Sequence, residues 1–345
     1  MGHLRAFHLG ISFALFSFTL LSSVATVQWT FAQDLNGQNT GSTANSPPIY
    51  LQEPQLSESS GLAASQRQPG HFWSHNDSGD TARLFAFDSR GKATGSCELI
   101  AASSLDWEDM ASFELGDRKY LLVADCGDND CKRDACFFYL FDEPDPTRAT
   151  KIKSYLTVQL TYPDGARDCE AIAVDPTRGK ILMIAKSAIP YVNVYSVELP
   201  DLLGRLESLR SAPIAAAASG DSAASGDSAA SGPAAIRVVA KVEGVLALPM
   251  VSAADIDPRT GDLWIANYFQ AFCFRCSPRD MSVAEQTKQV AEASDLPRLR
   301  QIEALCMDEN GEIWVTSEGT PTPLSRVAKP LPSSPGRGGV QPVVD

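Results

Sequence analysis

Residues 251–268 read VSAADIDPRTGDLWIANY, which is the pattern of a β-hairpin. Small and apolar residues alternate up to Ile256, the turn Asp-Pro-Arg-Thr-Gly occupies 257–261, and a second apolar run surrounds Trp264. Such turns join antiparallel strands, because proline fixes φ and glycine accepts a positive φ. The stretch therefore predicts two strands connected by a short turn.

Four other segments share this pattern: SSGLAASQRQPGHFWSHND (59–77), WEDMASFELGDRKYLLVAD (107–125), CEAIAVDPTRGKILMIAK (169–186) and IEALCMDENGEIWVTSE (302–318). A large apolar residue recurs at one shared place in the second strand of the five copies, as Trp73, Leu121, Leu182, Trp264 and Trp314. Repetition of one supersecondary unit every roughly 50–80 residues indicates a repeat architecture.

Further strand-like runs lie between the copies, at Arg83–Phe87, Phe137–Phe141, Leu156–Leu160, Tyr191–Val197, Ile236–Val242 and Ala271–Phe274. Each repeat is thus a sheet of about four strands, and sheets at this spacing are typical of a β-propeller. We predict an all-β fold, a single propeller of five four-stranded blades closed by an N-terminal strand within Ile49–Leu56. A sixth, degenerate blade and an irregular β-sandwich are the alternatives.

The propeller is expected to span residues 49–330. Within it, residues 215–235 (AAAASGDSAASGDSAASGPAA) repeat one low-complexity pattern, which predicts a flexible loop rather than a domain boundary. Residues 331–345 are rich in Pro and Gly and are expected to form a disordered tail.

The N-terminus has the features of an export signal. Arg5 precedes a nearly unbroken apolar run over 11–24, and small residues near Ala32 suit cleavage. We predict a signal peptide over 1–32, a disordered leader over 33–48, and a secreted or periplasmic protein with no membrane association after cleavage. A retained membrane anchor is the alternative.

The composition is acidic. The 345 residues include 42 Asp and Glu against 29 Lys and Arg, a formal net charge of −13. Binding to a phosphate backbone requires clustered basic residues, so nucleic acid is excluded as a partner. We expect a monomer.

The eight cysteines all follow the predicted signal peptide: Cys97, Cys126, Cys131, Cys136, Cys169, Cys273, Cys276 and Cys306. An even number in an oxidising compartment favours disulfides. Zinc is the alternative, but one CxxC motif and two remaining histidines offer few ligands.

In a propeller, the innermost strand of each blade starts on the face where the second strand ends. The aligned copies therefore predict a ring of residues around one mouth of the central channel. The first strands contribute Ser60, Glu108, Glu170, Ser252 and Glu303, and the second strands contribute Asp77, Asp125, Lys186, Tyr268 and Glu318. Polar residues flank the ring: His75, Asn76, Asp80, Asp106, Asp109, Asp128, Asn129, Asp168, Asp255, Asn267 and Ser317.

So many carboxylates at one mouth repel one another unless a cation or shared protons compensate. Oxygen ligands with almost no histidine suit Ca²⁺. We predict a Ca²⁺ site and no organic cofactor, with the carboxylates of the ring as ligands: Glu108, Glu170, Glu303, Asp77, Asp125 and Glu318. The alternative is that these residues cap turns and bind neighbouring blades, as expected of Asp175, Asp257 and Asp308 at the hairpin turns.

Two residues of this region have possible catalytic roles. Lys186 could hold an anionic substrate or act as a base, and its alternative is a neutralising ion pair. His75 could be a general base, and its alternative is a structural histidine. The remaining polar positions are assigned to substrate binding: Asn76, Tyr268, Asn267, Ser60 and Ser252.

The ordered motifs SGLAAS, HNDSGD, DWEDMA, ADCGDN, YPDGARDCEAI, VSAADIDP and SEG resemble a family of secreted, mostly uncharacterised bacterial β-propellers. The resemblance covers residues 59–320 and extends more distantly to calcium-dependent lactonases, arylesterases and β-propeller phytases. It implies Glu108, Glu170 and Glu303 as metal or substrate ligands. The chain departs from the family at Cys126 and Cys169, which suggests a blade-to-blade disulfide.

Two functions follow as hypotheses. One is a metal-dependent hydrolase acting on a small ester, lactone or phosphoester. The other is a non-catalytic propeller that binds a small molecule, glycan or peptide at its mouth, with a structural metal or none. A phosphate substrate is the less favoured, because Lys186 is the single cation of the ring, with Arg83, Arg133 and Arg167 as possible neighbours.

Overall fold

The computed structural model describes residues 47–211 and 235–329. The predicted signal peptide lies outside these ranges, as do nearly all of the predicted leader, low-complexity loop and tail. In the described ranges, the five hairpins form the two inner strands of five sheets. A glycine with positive φ occupies every hairpin turn: Gly70, Gly116, Gly179, Gly261 and Gly311.

The five sheets are called blades 1 to 5. Blade 1 contains β2 (Ser59–Ala64), β3 (His71–Asn76), β4 (Arg83–Asp88) and β5 (Ala93–Leu99). Blade 2 contains β6 (Trp107–Leu115), β7 (Arg118–Asp125), β8 (Cys136–Asp142) and β10 (Leu156–Thr161). Blade 3 contains β11 (Cys169–Asp175), β12 (Lys180–Ala185), β13 (Val192–Glu198) and β15 (Lys241–Leu246).

Blade 4 contains β16 (Val251–Ile256), β17 (Leu263–Asn267), β18 (Gln270–Phe274) and β19 (Glu292–Asp295). Blade 5 contains β20 (Ile302–Met307), β21 (Ile313–Ser317), β22 (Pro323–Val327) and β1 (Ile49–Tyr50). The helices are α1 (Leu199–Ser211), which follows β13, and α2 (Val283–Gln286), which follows β18. Neither of these described helices has the length and apolar character needed to cross a bilayer.

The blades form a closed ring. Each inner strand contacts the inner strand of the next blade, and β20 of blade 5 contacts β2 of blade 1. The N-terminal β1 pairs antiparallel with β22, with Ile49 opposite Leu324. The predicted five-bladed propeller closed by an N-terminal strand is therefore confirmed, the sandwich alternative is wrong, and the described residues form no sixth blade.

Two blades carry a fifth, parallel strand. The segment β9 (Ala149–Ile152) pairs with β5 of blade 1, and β14 (Ile236–Val239) pairs with β10 of blade 2. The prediction of one strand over Ile236–Val242 was wrong, because the chain changes blades at the buried residue Ala240. The Ala240 N–H donates to the Thr161 carbonyl of blade 2, and β15 then continues in blade 3.

The core consists of five apolar clusters, each between two neighbouring blades. The predicted large residues of the second strands are buried in these clusters. In blade 2, however, the residue equivalent to Trp73 is Leu122 rather than Leu121, because Leu122 faces Ala111 as Trp73 faces Ala63. The β6–β7 hairpin closes with a shorter loop than the others, so the predicted position in blade 2 was one residue too early.

Turn aspartates hold the hairpins as expected. Asp175 accepts a hydrogen bond from the Arg178 N–H (2.9 Å), and Asp257 accepts one from the Arg259 N–H (2.9 Å). Asp308 accepts from the Asn310 N–H and also from the indole of Trp314. These carboxylates stabilise the turns, which lie at the opposite ends of the strands from the mouth.

Candidate functional site

Every inner strand has a β-bulge at its second residue. The bulged residues are those predicted for the first half of the ring: Ser60, Glu108, Glu170, Ser252 and Glu303. A bulged residue has no partner across the ladder, and bulges commonly re-aim a side chain next to a functional site. The same bulge is thus present five times around the mouth, and three of the five bulged residues are glutamates.

The second strands supply equivalent positions immediately after their last paired residue. Asp77, Lys186, Tyr268 and Glu318 occupy this position, as predicted from the alignment. In blade 2 the position belongs to Cys126, whereas Asp125 pairs with Trp107 one residue earlier. Asp125 is fully buried and bound to Arg133 Nη2 at 2.8 Å, so the structure places it outside the ring.

Five carboxylates from three blades converge at the mouth. One ligand atom each from Asp77, Asp106 and Glu108 lie within 4.8 Å of one another, and the same holds for Glu108, Asp168 and Glu170. Glu108 belongs to both groups, and it is 5% exposed. Asp106 and Asp168 immediately precede inner strands β6 and β11, and the sequence identified them as flanking residues rather than as ligands.

The charges of this cluster oppose one another. Burial, followed by the charges of Glu170 and Asp77, raises the pKa of Glu108 well above its usual range. Burial and the charge of Asp77 raise the pKa of Asp106 to about 6. Burial raises the pKa of Glu170 to about 7, although the neighbouring Lys186 opposes this shift. Without a cation, burial and mutual repulsion therefore both oppose ionisation of the cluster.

The acidic cluster is poorly supplied with hydrogen-bond donors among the described residues. Asp77 Oδ1 is buried and has no hydrogen-bond partner there. Glu108 Oε2 accepts a long bond from Ser60 Oγ (3.4 Å), and Oε1 faces Gly127. A Cβ atom at Gly127 would collide with Glu108 Oε1 and Asp106 Oδ2, so only glycine leaves these two carboxylates their present positions.

Lys186 is an ion-pair partner in this structure. Its Nζ lies 2.9 Å from Glu170 Oε1 and 5.8 Å from the centre of the Tyr268 ring. Although burial opposes it, the Glu170 carboxylate holds the pKa of Lys186 above its usual range. The residue is consequently a fixed cation at the mouth, and a role as a proton-accepting base is not supported by this environment.

Glu303 and Glu318 form a second group on the blade 5 side. Gln301 Nε2 donates to both carboxylates, at 3.0 Å to Glu303 and 3.2 Å to Glu318. Burial raises the pKa of Glu303 to about 7, with the charge of Glu318 acting in the same direction. Neither residue belongs to the two metal-sized groups. Gln301 had no signal in the sequence, because it lies in an irregular connection.

The predicted substrate-binding residues have three different environments. Ser60 and Ser252 donate to the backbone carbonyls of Glu108 and Ile302 in the next blade, both at 2.9 Å. Asn76 accepts from the N–H groups of Ser57 and Glu58 before β2, and Asn267 accepts from two N–H groups of its own turn. Tyr268 is the member of this set that lies beside both Lys186 and open surface.

His75 is fully buried between blades 1 and 2. Its Nδ1 donates to the Asn76 carbonyl (2.8 Å), and its ring packs edge-on against Trp107 with centroids 5.3 Å apart. Burial lowers the pKa of His75 to about 4, so the imidazole is neutral at physiological pH. Its Nε2 points at Gly61 rather than at the mouth, which favours the structural interpretation.

Two of the flanking aspartates form hydrogen bonds to the inner strands of other blades. Asp109 Oδ2 accepts from the N–H of Ile172 (2.9 Å) in blade 3, with a longer contact to the N–H of Ala254 (3.5 Å) in blade 4. Asp255 Oδ2 accepts from the N–H of Met307 in blade 5 (2.8 Å). These carboxylates satisfy the free edges of the inner strands, and this confirms the blade-linking role for part of the acidic set.

The predicted disulfides are absent. All eight cysteines lie in the described ranges and all are free thiols, seven of them buried. Cys126 and Cys169 do meet between blades 2 and 3, but the Cys126 thiol donates to the Cys169 carbonyl (3.1 Å) instead of forming a bond between the sulfurs. Buried cysteine packs as a small apolar residue, which accounts for most of these positions.

No family model matches the chain, and no curated protein matches its sequence. Its structure is similar to the Dos1 propeller, with 8% identity and a TM-score of 0.37, over 78% of this chain and 68% of that one. It is also similar to the Neurospora crassa Pan2 WD40 domain, with 8% identity and a TM-score of 0.32, over 80% of this chain and 64% of that one. The kinship with lactonases and phytases stays a prediction.

Proposed function

We propose that the mouth of this propeller binds one Ca²⁺ ion and, next to it, a small organic ligand. The observation that carries the proposal is the position of Glu108, whose carboxylate belongs to two groups of three acidic residues, each compact enough to surround one ion. Ca²⁺ binds six to eight oxygens at about 2.3–2.6 Å, so oxygens that share an ion lie up to about 5 Å apart. The donors are Asp77, Asp106, Glu108, Asp168 and Glu170.

The donor chemistry favours Ca²⁺ over zinc. Histidine and cysteine are missing from both groups, and carboxylate oxygens select hard cations. The buried Asp77 Oδ1, which has no hydrogen-bond partner among the described residues, and the raised pKa of Glu108 both indicate a site that is incomplete without positive charge. A bound ion would compensate this charge and would polarise an oxygen atom of a neighbouring ligand.

Residues outside the two acidic groups complete the mouth on either side of them. Lys186 and Tyr268 lie on one side, and Glu303 with Gln301 lies on the other. A small ester or lactone suits this combination of a cation, an aromatic ring and hydrogen-bonding groups. A phosphoester is less well supported, because all four cations considered for it are paired with carboxylates: Lys186, Arg83, Arg133 and Arg167.

Hydrolysis of such an ester is the second candidate function, and Glu303 is the residue that favours it. A general base works best with a pKa near the operating pH, and burial raises the pKa of Glu303 to about 7. Glu303 is partly exposed at the mouth, and Gln301 fixes the orientation of its carboxylate. Glu303 would accept a proton from an attacking water. The non-catalytic alternative is a glycan- or peptide-binding mouth with the same ion in a structural role.

The signal peptide predicted from the sequence supports this proposal in one respect. A secreted or periplasmic protein meets Ca²⁺ at higher concentration than a cytosolic one, so a site of moderate affinity would be filled. The proposed setting is therefore extracellular or periplasmic, with the protein acting as a monomer on a small molecule.

The test is calorimetric titration of Ca²⁺ into the purified protein, comparing the parent with Glu108→Gln and Glu114→Gln. Both glutamates lie on β6, but Glu114 is at the end remote from the mouth. Loss of a direct ligand should weaken binding by at least about 100-fold, since even outer-sphere partners contribute about 10–100-fold. Glu114→Gln should bind like the parent. Absence of binding by the parent, or equal binding by Glu108→Gln, would refute the Ca²⁺ site.

The hydrolytic candidate is tested separately with a panel of small esters and lactones in Ca²⁺. Glu303→Gln keeps the hydrogen bond from Gln301 and removes the proton acceptor, so turnover should fall by about 100-fold or more. Hydrolysis that persists unchanged in Glu303→Gln would exclude Glu303 as the base. Ca²⁺ binding without any turnover by the parent would favour the non-catalytic alternative.

A further inference from the structure

A cavity of about 580 Å³ lies beside the mouth, between blades 4 and 5. One wall is the turn after β17, which carries Tyr268 and Phe269, and the other wall is the connection 296–301 between β19 and β20. The Leu296 N–H donates to the Phe269 carbonyl (3.3 Å) and holds the two walls together. Pockets that bind small molecules generally have about 300–1,000 Å³, so the cavity is large enough for one.

Two arginines of this cavity are available to a ligand. Arg298 forms no hydrogen bond or ion pair with any described residue, and the nearest acidic contact of Arg300 is Glu318 Oε2, at 4.0 Å from its Nε. By contrast, the mouth cations Lys186 and Arg133 are bound to carboxylates at 2.9 and 2.8 Å. Asp295 also lines the cavity and accepts a hydrogen bond from Gln270 Nε2 (3.3 Å), so the two arginines leave the lining with one net positive charge in a chain of net charge −13.

The same cavity has an apolar surface. Phe269 is 75% exposed although it is a large aromatic residue, and Leu296 and Leu299 lie in the opposite wall. An exposed aromatic residue at the entrance of a pocket commonly contacts a ligand. The cavity can thus bind an apolar body on one side and a negative charge on the other.

The cavity is continuous with the mouth through two shared residues. Gln301 belongs to its lining and also donates to Glu303 Oε1. Tyr268 belongs to its lining and also lies under the Lys186 ammonium group. A ligand in the cavity would consequently lie next to the mouth.

We infer that this cavity is a subsite for an organic anion, in which Arg298 and Arg300 bind a carboxylate or phosphate group and Phe269 packs on an apolar body. The inference rests on the proposed function, because it names the class of compound that the mouth receives: an amphipathic organic acid or an ester or lactone that carries such an acid group. Arginine is suited to this role, because its planar guanidinium group can donate two parallel hydrogen bonds to one anion.

The experiment measures binding of phenylacetate and of its neutral analogue phenylacetamide to the full chain by ligand-observed NMR, with and without Ca²⁺. Phenylacetate should bind at least about tenfold more tightly than phenylacetamide, since a charge-assisted hydrogen bond contributes about that factor. The double variant Arg298→Ala/Arg300→Ala should lose this preference, and Phe269→Ala should weaken both compounds. The control Arg205→Ala, an exposed arginine on α1, should bind like the parent.

A chelator separates this inference from the Ca²⁺ site. Phenylacetate binding should persist when the metal is removed, because the two arginines do not depend on the ion. Phenyl phosphate serves as a second probe and identifies which anionic group is preferred. Equal binding of phenylacetate and phenylacetamide, or unchanged phenylacetate binding in the double arginine variant, would overturn the subsite whatever the result of the Ca²⁺ titration.

Discussion

Asn76 in blade 1 and Asp125 in blade 2 occupy equivalent positions, and each uses its side-chain oxygens to hold the two backbone N–H groups that precede an inner strand. Asn76 Oδ1 accepts from Ser57 and Glu58 at 2.9 and 3.1 Å. Asp125 accepts from Leu105 and Asp106, both at 3.2 Å. The carboxylate of Asp125 is therefore a loop anchor, although its charge had suggested a metal ligand.

This equivalence predicts that Asp125→Asn is tolerated. The single amide oxygen of Asn76 already binds both N–H groups in blade 1, so the variant should keep these two bonds and lose the hydrogen-bonded ion pair with Arg133, about 1.5–3 kcal/mol in the free energy of unfolding. Asp125→Ala should cost about 3–5 kcal/mol, because it leaves a buried arginine and two N–H groups unpaired. Urea unfolding measures both values. A large loss of Ca²⁺ affinity in Asp125→Asn would return this residue to the metal site.

Gly127→Ala should disable the acidic cluster without altering any acidic residue. The added methyl group would occupy the space of Glu108 Oε1 and Asp106 Oδ2, which must then separate. Ca²⁺ affinity should fall at least about tenfold, as expected when ligand positions shift by part of an ångström. The control Gly204→Ala has open space around its Cβ on α1 and should be neutral or slightly stabilising. Unchanged Ca²⁺ binding in Gly127→Ala would contradict the proposed ligand set.

Glu303 predicts a specific pH dependence in the presence of a chelator. Because its pKa is about 7 in the folded protein and 4.5 otherwise, its contribution to stability is fully present below pH 4.5 and is lost as the pH rises through about 7. Glu303→Gln cannot ionise, so it should match the parent near pH 4.5 and exceed it above pH 7, by about 1–3 kcal/mol. Denaturant titrations at both pH values test this. An equal change in the free energy of unfolding of the two proteins between these pH values would exclude the raised pKa of Glu303.

His75 predicts the opposite dependence of stability on pH. Its pKa is about 4 in the folded protein against 6.5 in a model state, so it contributes stability above pH 6.5 that is lost as the pH falls through about 4. His75→Asn keeps a donor for the Asn76 carbonyl and removes the titrating ring. The variant should be less stable than the parent at neutral pH, and the difference should shrink by about 1–3 kcal/mol on acidification. A constant difference would mean that His75 does not titrate in this way.

The repeat pattern predicted the fold because each hairpin carries its own signals. The turn at 257–261 combines proline, glycine and aspartate, and the apolar alternation on both sides needs no tertiary information. The strand over Ile236–Val242 shows the limit of this reasoning. No turn residue interrupts this stretch, but its two halves belong to different blades, and pairing with the neighbouring strand β10 determines where they divide.

The candidate site was predictable where it depends on strand ends and not where it depends on loops. Glu108 and Glu170 followed from the shared start of the inner strands, because the bulge repeats in every blade. Asp125 was misplaced, because hairpin loop length decides the register of β7. Arg298 and Arg300 gave no signal, since the connection 296–301 has no periodicity and meets Phe269 only in the folded protein.

The parallel strands β9 and β14 each pair with the preceding blade. The chain around β9 belongs to blade 2, but β9 pairs with blade 1, and the chain around β14 belongs to blade 3, but β14 pairs with blade 2. Blades 1 and 2 are consequently each completed by a strand from the next segment of the chain. Deleting the repeat that forms blade 2 or blade 3 would therefore also remove the outermost strand of the preceding blade. Unfolding of these three blades is therefore expected to be a single cooperative event, and the exchangeable unit in this ring is larger than one repeat.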